Sequence, residues 1–397
     1  MSFMLPEKTS SSRPSLIREV QERGAKIPGF ISLAIGNPSA EAIPQAALKN
    51  AIKKVTSENL LRVFEYGPTG GSVGLMELTK QRLSEKKKLP KDRQAFIMLN
   101  GSGHGLGVAA RTLCCEGDEV YFEQFSYPCA IYAVRAVGGK PVGIPVDKDG
   151  MIPEELEKQA KSGRGKYIYL NPNFQNPTGL TMPLQRRKEI YRIAGEYDLL
   201  IYEDDPYGDI RFSGTAVPNF KAIDTEGIVL FAGSYSKTLS PGLRVGYLYG
   251  DEKYIKPMEV IKNVMDGQSP LFNQLIVQYT LQAIDYEKHI CRICELYKKR
   301  ADAMIRALEQ NGPSAVQFTR PEGGMFMWVT LPEYVDIDTF YEELFRQGVG
   351  AVKSEAFAVD GKKTGHAFRL NYTYAPIEQL IEGTTRFAKA ARLFCRE

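Results

Sequence analysis

Between about residues 70 and 250, short runs of β-branched and aromatic residues alternate with longer stretches whose apolar positions recur at helical spacing. The runs are AFIMLN (95–100), EVYFE (119–123), KPVGIPV (140–146), KYIYLN (166–171), LLIYED (199–204), GIVLFAG (227–233) and RVGYLYG (244–250). Several are apolar at odd and even positions alike, as a strand covered by helices on both faces must be. The alternation predicts an α/β fold with a mostly parallel seven-stranded sheet sandwiched by helices.

After Pro270 the texture changes. One long helical stretch, LFNQLIVQYTLQAIDYEKHICRICELYKKRADAMIRALEQNG, runs to the stop signal Asn311, Gly312, Pro313. Beyond it GGMFMWVTL, VGAVKS and AFRLNYT are β-rich without regular parallel alternation, which predicts a smaller α+β domain. The expected division is 1–46, an N-terminal segment packing on the small domain and the active-site mouth; 47–283, the large domain; and 284–397, the small C-terminal domain.

Composition narrows the function classes. At 397 residues, 43% hydrophobic and 25% charged, the chain is an ordinary globular protein. It has no apolar run of the roughly eighteen residues a membrane span needs. The opening MSFMLPEKTSSSRP lacks the apolar segment of a secretory signal, so a cytoplasmic location is the default expectation. With a net charge of +4 and no basic arm, neither nucleic acid nor membrane is expected as a partner; SEKKKLPKDR (84–93) reads as an exposed helix end. Cys291 and Cys294 form a CxxC, but no second pair or histidine cluster completes a metal site, so no metal is expected.

The candidate chemistry centres on SYSKTLSPGLRVGY (234–247). It sets one amine, Lys237, at the end of an apolar strand among two hydroxyls, Ser234 and Ser236, and a guanidinium, Arg244. An amine beside a phosphate cradle suggests a Schiff base to pyridoxal phosphate, whose aldehyde needs a covalent anchor and whose phosphate needs hydroxyls, backbone N–H groups and a forked cation. A lysine is more often a solvated surface charge, but open α/β sheets place their ligands at the carboxyl ends of strands, where Lys237 sits.

Other strand ends fit the same ligand. NGSGHGLGVAARTL (100–113) puts glycines and Ser102 between a strand and a helix, where backbone N–H groups and the helix N-terminus favour a phosphate. In EDDPYGDIRF (203–212), Asp204 is placed to keep a pyridine nitrogen protonated, with Tyr207 donating to the ring phenolate; the same carboxylates could simply cap a turn. NPNFQNPTG (171–179) offers the Asn176 amide to phenolate and substrate carboxylate, and EQFSYP offers Tyr127 as a stacking ring. In AFRLNYT, Arg369 lies in an apolar strand and needs a partner, either a substrate α-carboxylate or an internal acid. His104 is expected to pack beside the phosphate turn without being the base.

In this order the segments resemble the class I and II aminotransferases of the type I fold of pyridoxal phosphate enzymes. The resemblance is nearest the branch holding 2-aminoadipate, kynurenine and aromatic aminotransferases and the enzyme-like half of MocR-type regulators. It runs from SSRPSLIREV and ISLAIGNP through YGPTGGSVGLMEL, NGSGHGL, EQFSYP, NPNFQNPTG, EDDPYGDI and SYSKTLSPGLRVGY to GGMFMW and FRLNY. It implies Lys237 as the cofactor-anchoring lysine, Asp204 as the pyridine-nitrogen partner, Tyr207 and Asn176 as phenolate donors and Tyr127 as the stacking ring. Ser102, Gly103, His104, Ser234, Ser236 and Arg244 fall to the phosphate region, and Arg369 to the substrate carboxylate. Tyr66, in FEYGPTGG, would reach the phosphate of a neighbouring subunit, so a homodimer with active sites at the subunit interface is implied, and Gly36 would line the substrate mouth. One departure stands out: relatives carry GSQQGL in the phosphate turn, where this chain has Gly103 and His104. No DNA-binding domain is expected ahead of the fold.

The implied reaction moves an amino group from an L-amino acid, aromatic or 2-aminoadipate-like or other, to a 2-oxo acid such as 2-oxoglutarate, in two half reactions. Two alternatives keep the cofactor: a carbon-sulfur lyase of the same fold, since elimination also starts from a carbanion at the substrate α-carbon, and a non-catalytic domain that senses the cofactor adduct. The residues named above do not separate transfer from elimination.

Overall fold

The seven apolar runs form a single sheet. In the computed structural model, which describes residues 15–361 and 365–396, its strands are β1 (Gln94–Leu99), β2 (Glu119–Glu123), β3 (Lys140–Ile144), β4 (Gly165–Leu170), β5 (Leu200–Asp204), β6 (Val229–Ser234) and β7 (Gly246–Asp251). Their spatial order is β1-β7-β6-β5-β4-β2-β3. Every pairing is parallel except those of β7, which runs antiparallel to both β1 and β6. The connection from β6 to β7 is too short for a crossover helix, so the chain returns beside β6 in the opposite direction.

Alternate residues of these strands enter two separate cores. Ile97, Leu99, Val120, Phe122, Tyr169 and Leu230 pack on one face; Tyr121, Ile168, Leu170, Ile201 and Val229 pack on the other. This is the physical reason the runs are apolar at every position. Two run ends differ from expectation. The 140–146 run leaves the sheet after Ile144, and the 244–250 run joins it only at Gly246, because Arg244 takes a left-handed conformation (φ 52°) at the end of the 3-10 turn Pro241–Leu243.

The long helical stretch is two helices, Leu271–Ala283 and Tyr286–Asn311. Ile284 is extended, and the Asp285 carboxylate caps the second helix by accepting from the Lys288 N–H at 3.1 Å. An apolar stripe that continues in phase hides such a break; the capping residue is its only local trace.

The C-terminal part holds an antiparallel sheet in which β8 (Phe326–Thr330) and β9 (Ala367–Asn371) are the central pair, flanked by Gln317–Phe318 and Val352–Lys353. The N-terminal segment is stitched to this part. Ile31–Ser32 pairs in parallel with Val349–Gly350, and the Asn371 N–H donates to the Leu33 carbonyl at 2.7 Å. That stitching delivers residues 34–37 to the mouth of the site. Residues 11–14 of the SSRPSLIREV motif lie outside the described residues. Among the described residues no helix is long and apolar enough to cross a membrane, and no group of acidic, histidine and cysteine side chains is arranged to hold a metal.

Candidate active site

The carboxyl ends of the parallel strands converge on a cleft of about 270 Å³. Its lining includes Ser102, Gly103, Tyr127, Asn176, Asp204, Tyr207, Ser234, Ser236, Lys237, Arg244 and Arg369, drawn from both parts of the chain, with Gly36 from the N-terminal segment. Segments far apart in sequence meet because parallel strands all end on the same edge of the sheet.

Asp204 is the last residue of β5 and is buried. Its Oδ2 accepts from the Tyr169 hydroxyl at 2.8 Å, while Oδ1 has no hydrogen-bond partner among the described residues. Burial lifts its pKa to about 7; the Tyr169 and Ser102 hydroxyls and the Lys237 charge oppose the rise, and the neighbouring Asp205 adds to it. A buried carboxyl with one oxygen held and one left unpaired lacks a cationic donor, which a protonated pyridine nitrogen would supply.

Lys237 follows β6, and its Nζ donates to the Gly36 carbonyl at 2.9 Å. Burial, reinforced by the Arg369 and Arg244 charges and opposed by Asp204, lowers its pKa to about 8. The amine is therefore uncharged far more often near neutral pH than an ordinary lysine, the form that both a nucleophile and a general base require.

The phosphate-type cradle is built on the helix Ser102–Leu113, whose first N–H groups have no intrahelical acceptor. Gly101 enters this turn at φ 78°, and a Cβ there would stand 2.4 Å from the Arg244 guanidinium. Arg244 Nη1 donates to Ser236 Oγ at 3.2 Å and Nη2 to the Asn100 carbonyl at 3.2 Å, while the Ser236 N–H donates to Ser234 Oγ at 3.1 Å. Above Gly103 nothing lies within 4 Å of where a side chain would begin. Hydroxyls, a forked cation and a helix N-terminus around open space match the needs of a phosphate monoester.

At the other end of the cleft, Arg369 projects from β9 and is 2% exposed. Nη1 donates to Asn176 Oδ1 and Nη2 to the Ala34 carbonyl, both at 2.8 Å, and Nε has no partner among the described residues. Its guanidinium lies over the rings of Phe326 (4.2 Å) and Phe357 (4.9 Å). Burial depresses its pKa to about 10, and among the described residues no carboxylate pairs with it. Tyr207, edge-on to Phe326 and beside Asn176, has its hydroxyl pKa raised by burial.

Two expected site residues fall elsewhere within this chain. His104 does not line the cleft; it turns toward the helix Glu252–Asp266, with Nδ1 3.7 Å from Asp266 Oδ2. The same Nδ1 accepts from the Asn100 N–H at 3.4 Å, so the ring packs beside the phosphate turn, as expected, without its side chain entering the cleft. Tyr66 is 99% exposed and lies outside the cleft of its own chain. Sequence reasoning missed Tyr169, Asn171 and Phe326. Asn171 donates from Nδ2 to the Asp204 carbonyl at 2.7 Å and accepts the Asn176 N–H at 2.8 Å, tying two strand ends together. The only local signal was the position of Tyr169 and Asn171 at the carboxyl end of a strand.

A type I sheet with this cleft defines a pyridoxal phosphate enzyme. The chain belongs to the class I and II aminotransferases: the profile of that family matches residues 28–383. It is 35% identical over 97% of its length to aromatic-amino-acid aminotransferase 1 of Thermococcus litoralis, 93% of which is covered. Among solved structures it is similar to the Pyrococcus horikoshii kynurenine aminotransferase, crystallised with PMP, kynurenine and kynurenate (TM-score 0.94, 33% identity, 99% and 98% of the two chains). It is also similar to the multiple substrate aminotransferase of Thermococcus profundus (TM-score 0.93, 34% identity, 98% and 97%). The protein is a pyridoxal phosphate-dependent aminotransferase.

Proposed function

We propose that Lys237 anchors the cofactor and carries the proton at the substrate α-carbon, that Asp204 pairs with the ring nitrogen, and that Arg369 binds the substrate α-carboxylate. The observation that carries this reading is Arg369: a buried guanidinium with an unused Nε and no carboxylate partner among the described residues, on the same cleft as a lysine of depressed pKa. Bound pyridoxal phosphate supplies an electron sink for the charge left when the α-proton is removed. Arg369 and Asn176 fix the carboxylate end of the amino acid, which orients its α-proton toward Lys237 Nζ. The uncharged Nζ accepts that proton and, from the same side, can deliver it to the carbon beyond the amine nitrogen, two atoms away. Asp204 holds a proton on the ring nitrogen, Tyr207 and Asn176 serve the phenolate oxygen, Tyr127 supports the ring face, and Ser102, Gly103, Ser234, Ser236 and Arg244 hold the phosphate.

For the amino donor we favour aromatic and long apolar amino acids, with 2-oxoglutarate as acceptor. Support comes from the aromatic and kynurenine specificities named for the relatives and from Ile17, Tyr127 and Phe326 lining the cleft. A homodimer is part of the proposal. Leu61, Phe64 and Tyr66 are exposed, as are Val260 and Val264 on the helix Glu252–Asp266, to which Thr69 bonds at 3.0 Å through Asn263. A second copy covering that apolar face would bring its Tyr66 to this phosphate site. The division into 47–283 and 284–397, bridged by 1–46, is supported by the break at Ile284 and by the pairing of Ile31–Ser32 with Val349–Gly350.

The test is a panel of amino acids given to the purified full chain with 2-oxoglutarate, following glutamate formation, with pyruvate and sulfide release from cystine assayed alongside. Amino transfer fastest with aromatic donors is expected; elimination without transfer overturns the proposal. Lys237→Ala must lose both the covalently held cofactor and turnover.

A further inference from the structure

Glu203, Asp204 and Asp205 are three consecutive acids at the end of β5, all buried. Only the middle one faces the cleft. Asp205 points the other way, into a polar pocket behind the sheet. Asn173 Nδ2 donates to its Oδ1 at 2.9 Å and Asn219 Nδ2 to its Oδ2 at 3.2 Å. Lys87, the last residue of the helix Val73–Lys87, donates to the same Oδ2 at 2.8 Å. The Asp205 side chain is 0% exposed and that of Lys87 11%, so this is an internal ion pair. Lys87 also lies 3.2 Å from Asp209 Oδ1, whose other oxygen accepts from Arg82 at 2.9 Å. Burial works against the Lys87 charge, and Asp205 and Asp209 more than reverse that effect. The turn after β5 wraps tightly around this carboxylate: a Cβ on Gly208 would stand 2.3 Å from it.

We propose that Lys87 is a positioning residue for the cofactor site: by neutralising the Asp205 carboxylate it lets Asp204, one residue away, remain ionised where the ring nitrogen meets it. The inference rests on the nitrogen-partner role given to Asp204 above. Lys87 is the cation bonded directly to Asp205; Arg187, the other buried cation behind the sheet, acts on Asp205 and Glu203 only at longer range, its guanidinium donating to the Met182, Pro172 and Pro218 carbonyls and to Asn173 Oδ1. Tyr169, Tyr202, Tyr127, Tyr207 and the Ser102 hydroxyl surround Asp204 with neutral groups, and Lys237 is the cation on that side. Glu203 is satisfied by the Phe220 and Lys221 N–H groups and by Asn219, with Arg187 4.0 Å away. Without Lys87 the extra negative charge must be relieved by a proton. Asp205 keeps two side-chain amide donors and Glu203 keeps one such donor and two backbone N–H groups, whereas Asp204 Oδ1 has no donor within hydrogen-bond distance among the described residues, so the proton goes to Asp204.

The probe is pyridoxal phosphate binding to the apo full chain, followed by quenching of protein fluorescence from pH 6 to 9, with melting curves confirming that each variant folds. Lys87→Met is expected to move the acid limb of affinity up by about one pH unit and to weaken binding about tenfold at neutral pH, the effect of losing one nearby counter-charge. Asp205→Asn alone is expected to move the limb down. The double variant Lys87→Met, Asp205→Asn is expected to bind within about threefold of wild type, because both charges are gone. A limb unmoved in Asp205→Asn, or a double variant as weak as Lys87→Met, overturns the proposal and leaves Lys87 a purely structural residue. If Lys87→Met does not fold, Asp205→Asn alone decides. Asp204→Asn separates the two readings: if it binds the cofactor like wild type across this pH range, the nitrogen-partner role itself fails.

Discussion

Replacing Arg369 by Met separates function from stability. The guanidinium is charged in a site that lowers its pKa from 12.5 to about 10, and at ~1.4 kcal/mol per unit this amounts to about 3 kcal/mol of unfavourable burial in the ligand-free chain. Met keeps much of the aliphatic stem and its contact with Phe326 and Phe357, removes that burden, and leaves Asn176 Oδ1 and the Ala34 carbonyl unpaired, a penalty of about 1–3 kcal/mol each. The opposing terms are similar in size, so the melting temperature of the apo-protein should change by only a few degrees. The substrate, in contrast, loses a charge-assisted two-point contact of about 3–6 kcal/mol, so kcat/KM should fall by roughly 10²–10⁴. Differential scanning fluorimetry of the apo-protein and steady-state kinetics with an aromatic donor measure the two effects. Wild-type kcat/KM in Arg369→Met, or activity and folding lost together, would refute the view that this cation waits for a carboxylate.

Other outcomes follow from the same geometry. The capture rate of pyridoxal phosphate by the apo-protein should rise with pH and level off above about 8, because the reactive form of Lys237 is the free amine and its pKa is lowered to about 8; a stopped-flow profile flat from pH 6 to 9 contradicts this. Since that pKa lies below the unfolded value, the Lys237 contribution to stability is full above the unfolded pKa and is lost as pH falls through about 8. Tyr169→Phe removes the one donor on Asp204 Oδ2 and should weaken cofactor binding about tenfold or less, most at the acid end, with little change in melting temperature. Asp285→Ala removes the cap that starts the helix Tyr286–Asn311 and should cost about 1 kcal/mol in chemical denaturation without changing KM. Phe64→Asp with Val264→Asp, placed on the exposed apolar face, should give a monomer by light scattering with weakened cofactor retention; an unchanged dimer argues for a different interface.

Legibility in the sequence followed the range of the forces involved. The seven strands were readable because each is covered on both faces, a condition that marks every position of a run as apolar. Ser234, Ser236, Lys237 and Arg244 were readable because the turn holding them is local. The break at Ile284 was not, since helical periodicity continues across it and only Asp285 marks it. That the His104 side chain packs between Asn100 and Asp266 and not in the cleft was not readable, because the direction a helix residue faces depends on how the helix docks.

Residue order alone therefore established the sheet, the strand ends and the identity of the amine, acid and cations that meet there, since each depends on short-range patterning and on the common polarity of parallel strands. Packing between distant segments decided the rest. The bond from Tyr169 to Asp204 depends on strand neighbours, and the pair of Lys87 with Asp205 joins residues 118 apart in sequence. That Arg369 has no acid partner among the described residues is likewise a property of everything folded around it. Such facts depend on register and docking angle, which no local periodicity records.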